Sequence, residues 1–136
     1  MPKDQGGGDL GITGHRHDWE CVVVWVNNPA AANPTVLGIS TSAHGKFPEK
    51  KSGALKDVMP GTKHPKIKYY QDTAFVGTHS VHTTGNEGRY QPIIGWDYMN
   101  NAMRSTLNNV KWGDANCPIS DGNFNDNLGK AALWIW

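Results

Sequence analysis

Seven consecutive residues, Gly14-His15-Arg16-His17-Asp18-Trp19-Glu20, gather two imidazoles, two carboxylates, a guanidinium and an indole just ahead of the apolar run Cys21-Val22-Val23-Val24-Trp25-Val26. Carboxylates and imidazoles beside apolar chain are costly to desolvate, and a single cation compensates several of them at once. The first reading of the heptad is therefore a metal site. In an extended chain alternate side chains share a face. Arg16, Asp18 and Glu20 then fall on one side and His15, His17, Trp19 and Cys21 on the other, unless a turn at Gly14 swings His15 round to the carboxylates. Two carboxylates, one imidazole and water form a hard donor set that suits Ca²⁺, Mg²⁺ or Mn²⁺, with oxygens at about 2.0 to 2.6 Å. Zinc would want both histidines, and this alternation separates His17 from Asp18 and Glu20. One rival is internal: Arg16, on the carboxylate side, could pair with Asp18 and Glu20 and partly replace the metal.

The elements that must hold these residues are mostly strands. Val22 to Val26 is apolar on both faces, as expected of a central strand covered from both sides. Asn27-Asn28-Pro29 ends it, a strand resumes over Thr35 to Ile39, and Gly38 marks a bulge or a close approach. A third strand is expected over Ala74 to His79, with a Gly85-Asn86-Glu87-Gly88 turn beyond. Between them Lys46 to Lys68 reads as a long polar loop, with seven lysines against Glu49 and Asp57, a local surplus of five positive charges. Such lysines ordinarily solvate a surface; the functional alternative is attraction of anionic head groups. Met99, Met103, Leu107 and Val110 recur at helical spacing, which predicts a helix from an Asp97 cap to about Lys111 with Gly113 as its stop, the methionines filling the core. A shorter helix is expected over Asn125 to Leu133 despite Gly129. The closing Trp134-Ile135-Trp136 packs back or touches membrane.

At 136 residues the chain is one small domain with enough apolar content for a modest core. A formal charge of +1 exerts no global pull on nucleic acid or membrane. The longest apolar run, Cys21 to Val26, is far short of the roughly 20 residues that span a bilayer. Met1 stands directly before Pro2-Lys3-Asp4, so the sequence as written opens without a secretory leader. Cys21 and Cys117 permit one disulfide; the simpler expectation is two buried free thiols.

The unbroken Gly14 to Glu20 heptad resembles the signature of the necrosis-inducing, Nep1-like (NPP1-type) family of microbial cytolysins. Pro2-Lys3-Asp4, Val22-Val23-Val24-Trp25, Ser42-Ala43-His44-Gly45, Thr78-His79, Gln91-Pro92-Ile93-Ile94-Gly95-Trp96 and Asp121-Gly122-Asn123-Phe124 resemble further landmarks of that family, so the likeness runs along essentially the whole chain. The resemblance implies a mainly β fold with flanking helices, an actinoporin-like β-sandwich, here incomplete because the family's N-terminal portion does not precede residue 1. Open sheet edges and lower stability are expected of such a fragment.

The resemblance also implies a secreted, non-enzymatic toxin that binds a divalent cation, Ca²⁺ or Mg²⁺ with Mn²⁺ as a further option, and attacks the outer leaflet of the plant plasma membrane as a peripheral protein. Its partner would be the head group of glycosylated inositol phosphoceramide sphingolipids, with no nucleic acid involved. Carried over by position, the metal ligands are Asp4, His15, Asp18 and Glu20, with Asp9 as a rival to Asp4 across the glycine-rich Gln5 to Gly8 link. Arg16, His17, Trp19, His44 and His79 surround the site. Trp19 is expected to fill the core opposite the cleft and His17 to anchor a loop, while His64 and His82, which match no landmark of the family, are expected to be surface or structural residues. Two other classes stay open: an inactive homologue with a structural cation site, and a metal-dependent hydrolase or lyase acting on plant wall glycans.

Overall fold

The computed structural model describes residues 17–59, 61, 63–72 and 78–133. Asp4, Asp9, His15, Arg16 and the Trp134–Trp136 end lie outside the described residues. Within them the chain forms β1 (Val22–Val26), β2 (Val36–Ala43), β3 (Lys46–Ser52), β4 (Ile67–Asp72), β5 (Thr78–Thr83), a single 3-10 turn (Trp96–Tyr98), α1 (Asn101–Asn109) and α2 (Phe124–Ala131). All strand pairings are antiparallel. The sheet runs β1-β2-β5-β4, and β3 also pairs with β2.

The β2–β3 hairpin turns through His44 and Gly45, whose φ angles of 52° and 69° are the left-handed pair a two-residue turn demands. Residues 46–52 thus continue the sheet, where a loop over Lys46 to Lys68 was expected. Alternation is the reason: Phe47 is buried while its neighbours Lys46 and Pro48 are exposed, so half of this strand's polar residues face water. Four of the seven lysines are committed to structural contacts. Lys50 Nζ reaches the Lys130 and Ala132 carbonyls at 2.8 and 3.0 Å, closing the C-terminus of α2. Lys51 meets Asp57 at 3.0 Å, Lys63 donates to Asn33 at 2.9 Å, and Lys66 pairs with Glu87.

Ile39, Leu55 and Val58 form the buried core, with Val22, Val36 and Met59 packed against it. The other face of β2 receives α2: Ser40 Oγ donates to the Ala131 carbonyl at 2.6 Å, and a Cβ on Gly38 would fall 2.1 Å from Leu133 Cδ1. Gly38 is therefore the expected close approach. Glu49 joins three strands, accepting from Thr41 Oγ1 at 3.2 Å and from both the N–H and the hydroxyl of Thr83, with His82 Nδ1 at 3.3 Å. Burial opposes its ionisation, but those hydrogen bonds and Lys51 outweigh it and hold the carboxyl below its ordinary value.

Three other expectations change. β1 ends the sheet order among the described residues, where its two apolar faces predicted a central strand. The strand expected to end at His79 runs on to Thr83 as β5 and pairs with β4; residues 74–77 of that expectation lie outside the described residues. The first helix begins three residues late, because Met99 is extended and the Asn100 side chain accepts the Met103 N–H at 2.9 Å, capping the helix where Asp97 was expected to. It also stops at Asn109, short of Lys111. Met99 is buried, but Met103 stays 41% exposed, so only the first methionine fills core. Cys21 and Cys117 are free thiols.

Candidate functional site

A cleft of about 1010 Å³ opens where the segment before β1, the β2–β3 turn and the segment between the two helices meet. Asp18 and Glu20 stand on its wall. So do His17, Trp19 and Cys21, which alternation had assigned to the opposite side. The reason is that residues 17–21 carry no regular strand; β1 starts at Val22, and period-two alternation does not apply before it.

Glu20 is positioned from two directions. The Ser42 hydroxyl donates to its carboxylate, while Ser42 Oγ accepts the Cys21 N–H at 2.7 Å and the Ser42 N–H reaches the Cys21 carbonyl at 3.0 Å. The His44 backbone N–H, aimed by the left-handed turn, also reaches that carboxylate. Burial pushes the Glu20 carboxyl above its ordinary value; the Ser42 bond pulls it back, the Asp18 charge pushes it up again, and His44 pulls it down. Two carboxylates that raise each other's energy in one cleft are a donor pair for a hard cation. Among the described residues no three His, Cys, Asp or Glu side chains converge as a complete ligand set. Asp4 and His15, the other expected ligands, lie outside them.

Around this pair the wall is aromatic. Trp112 takes His17 edge-on at 5.2 Å and Trp19 edge-on at 5.3 Å. Trp19 thus lines the cleft where a core position opposite it was expected. The indole nitrogens of Trp19 and Trp112 are buried without a hydrogen-bond partner. Asn116, Asn123 and Asn127 add amides to the rim. His44 lines the cleft as expected; His79 does not, being buried on β5 with its ring stacked on Tyr69 at 5.2 Å. Sequence reasoning assigned no role to Ser42 or Trp112. Ser42 stood inside a quoted landmark, and the Trp112-Gly113-Asp114 segment between two helices was the available signal for Trp112.

Comparison with known proteins agrees with this geometry. The pattern of the necrosis inducing protein (NPP1) family matches residues 1–131. NLP effector protein 2 of Phytophthora capsici is 42% identical over 96% of this chain and 50% of its own length. The chain spans about half the length of that curated relative. Among solved structures, NLPPya in complex with glucosamine superposes with a TM-score of 0.82 at 38% identity, over 98% of this chain and 59% of that one. The non-toxic HaNLP3 protein superposes at 0.85 and 35% identity, over 100% and 60%. Five antiparallel strands with flanking helices are the architecture shared with these proteins, and the actinoporin-like assignment is consistent with it. With the NPP1 family's pattern matched over nearly its whole length, the chain belongs to the necrosis-inducing NPP1 family.

Proposed function

We propose that the chain is the cation- and glycan-binding part of a secreted, non-enzymatic necrosis-inducing toxin, and that the cleft receives the sugar head group of a plant glycosylated inositol phosphoceramide. The observation that carries this reading is the Asp18–Glu20 carboxylate pair on the wall of a cleft faced with Trp19 and Trp112. Carboxylates and amides bind hydroxyls directionally, and indole faces cover the apolar side of a sugar ring. Asp18 and Glu20, with Asp4 and His15, would hold Ca²⁺ or Mg²⁺. Such an ion supplies open coordination positions for sugar hydroxyls. Ser42 and the His44 N–H fix the Glu20 carboxylate, and Trp112 packs against His17 and Trp19 so that the wall keeps its shape. The amino sugar bound by NLPPya is a ligand of the same chemical class. Membrane attachment is peripheral in this reading; no helix among the described residues is long and apolar enough to cross a membrane.

A second reading is favoured by the superposition on HaNLP3, a protein described as non-toxic: the cleft binds cation and sugar without killing cells. Co-sedimentation with vesicles containing glycosylated inositol phosphoceramide, with Ca²⁺ or with chelator, tests both. Calcium-dependent binding with leakage of a trapped dye supports the toxin, binding without leakage supports the second reading, and no binding refutes both.

A further inference from the structure

The cleft wall holds a second polar group of residues besides the Asp18–Glu20 pair. Apart from burial, the residues acting most strongly on the Glu20 carboxyl are Ser42, Asp18 and His44, none of them from α2. Another stretch of the wall comes from α2 and its N-cap, which contribute Asn123, Asp126, Asn127 and Lys130. Trp112, from the segment linking the helices, packs edge-on against Trp19 and so joins this stretch to the segment that carries Asp18 and Glu20. Both amides are fixed by their own bonds. Asn123 Nδ2 donates to the Cys117 carbonyl at 3.1 Å and to Ser120 Oγ at 3.0 Å, and Asn127 Nδ2 donates to the Asn123 carbonyl at 3.0 Å and to the Pro118 carbonyl at 3.4 Å. Each amide therefore spends its N–H groups on the fold, which orients its side-chain oxygen and leaves that oxygen as an acceptor for a ligand.

Charge cancels around these amides. Asp114 and Asp126 are matched by Lys111 and Lys130, and Lys130 Nζ lies 3.8 Å from Asp126 Oδ2. Oriented acceptors beside ammonium donors, with no net charge, select neither an anion nor a bare cation; they suit hydroxyl groups, each of which donates and accepts. The cleft volume of about 1010 Å³ stands at the upper end of small-molecule sites, more than one ring on the carboxylate pair requires. We propose that the cleft holds two linked sugar rings, the first on the Asp18–Glu20 pair and the second, an uncharged hexose, on Asn123, Asp126, Asn127 and Lys130. This rests on the glycan-binding function proposed above, and it adds the length of the ligand and the neutrality of its second ring.

The test titrates the 136-residue chain in Ca²⁺, followed by amide chemical shifts, with glucosamine, the ligand of the solved NLPPya complex. A panel of disaccharides follows, in which glucosamine is linked α or β to glucose, mannose, galactose or glucuronate. At least one disaccharide with an uncharged second ring should bind about tenfold more tightly than glucosamine, with shifts at residues 123–130 that glucosamine alone does not produce. Asn127→Ala and Asp126→Ala should each remove most of that gain and leave glucosamine affinity within about twofold of wild type. Asn127 also holds the start of α2 in place, whereas the Asp126 side chain is 80% exposed, so Asp126→Ala reads the contact without disturbing the fold. Unfolding temperatures of both variants check this. The proposal is overturned if glucosamine binds and no disaccharide binds more tightly, if the glucuronate forms bind tightest, or if Asp126→Ala keeps the full gain; in those cases the one-ring function of the cleft stands. Failure of glucosamine and of every disaccharide to bind overturns that function as well.

Discussion

The Ser42 hydroxyl donates to the Glu20 carboxylate and at the same atom accepts the Cys21 N–H at 2.7 Å, so one side chain from β2 fixes both the acid in the cleft and the backbone that carries it. Both residues are buried, which makes the link hard to replace by water. Ser42→Ala leaves the Glu20 carboxylate and the Cys21 N–H short of a partner. A loss of about 1–3 kcal/mol in chemical denaturation is expected, along with weaker divalent-cation binding.

His44 holds a left-handed backbone at φ 52°, a conformation that disfavours most side chains. His44→Gly should raise stability by up to about 1 kcal/mol while leaving the N–H to Glu20 in place, and His44→Val should lower it by at least about that amount. Urea midpoints of the two variants check the sign. If the imidazole itself contributes to the head-group site, vesicle binding falls in both.

Gly38 lies under Leu133, with the Lys51 carbonyl 2.6 Å from where a Cβ would sit. Leu133 can rotate away, but the carbonyl belongs to the partner strand. Gly38→Ala is expected to cost about 1–3 kcal/mol by overpacking, read as a lowered unfolding temperature.

Glu49 supplies the pH dependence. Its folded value lies below its ordinary 4.5 because Thr83, Thr41 and Lys51 together outweigh burial. A depressed acid stabilises the fold above its unfolded value and loses that contribution as pH falls through the folded one. Unfolding temperature should therefore drop as pH falls from about 5 toward 3. Glu49→Gln should flatten that slope and lower stability at neutral pH.

How far these features could be read from sequence depends on what each one rests on. The heptad was legible because its residue types are themselves the chemistry, and Val22–Val26 was legible as a strand because five apolar, mostly β-branched residues have few alternatives. The face on which His17, Trp19 and Cys21 fall was not, because alternation was applied to residues that lie before the strand begins. The lysine-rich β3 was hidden by composition: its single buried anchor, Phe47, cannot outvote three lysines and a glutamate in any local pattern. Lys50 and Lys51 are explained only by contacts with α2 and Asp57, one of them 80 residues away in sequence. Trp112 joined the site for the same reason: its partners, His17 and Trp19, are remote along the chain. Asn100 rather than Asp97 caps α1, a choice between two good caps that propensity does not decide.

Titration calorimetry with Ca²⁺ and Mg²⁺ on the wild-type chain and on Asp18→Asn addresses the carboxylate pair most directly. Binding of at least one of the two ions with millimolar or tighter affinity is expected for wild type, weakened about tenfold or more in Asp18→Asn. No binding of either ion, or equal affinity in the two proteins, would contradict the assignment of this cleft as a hard-cation site.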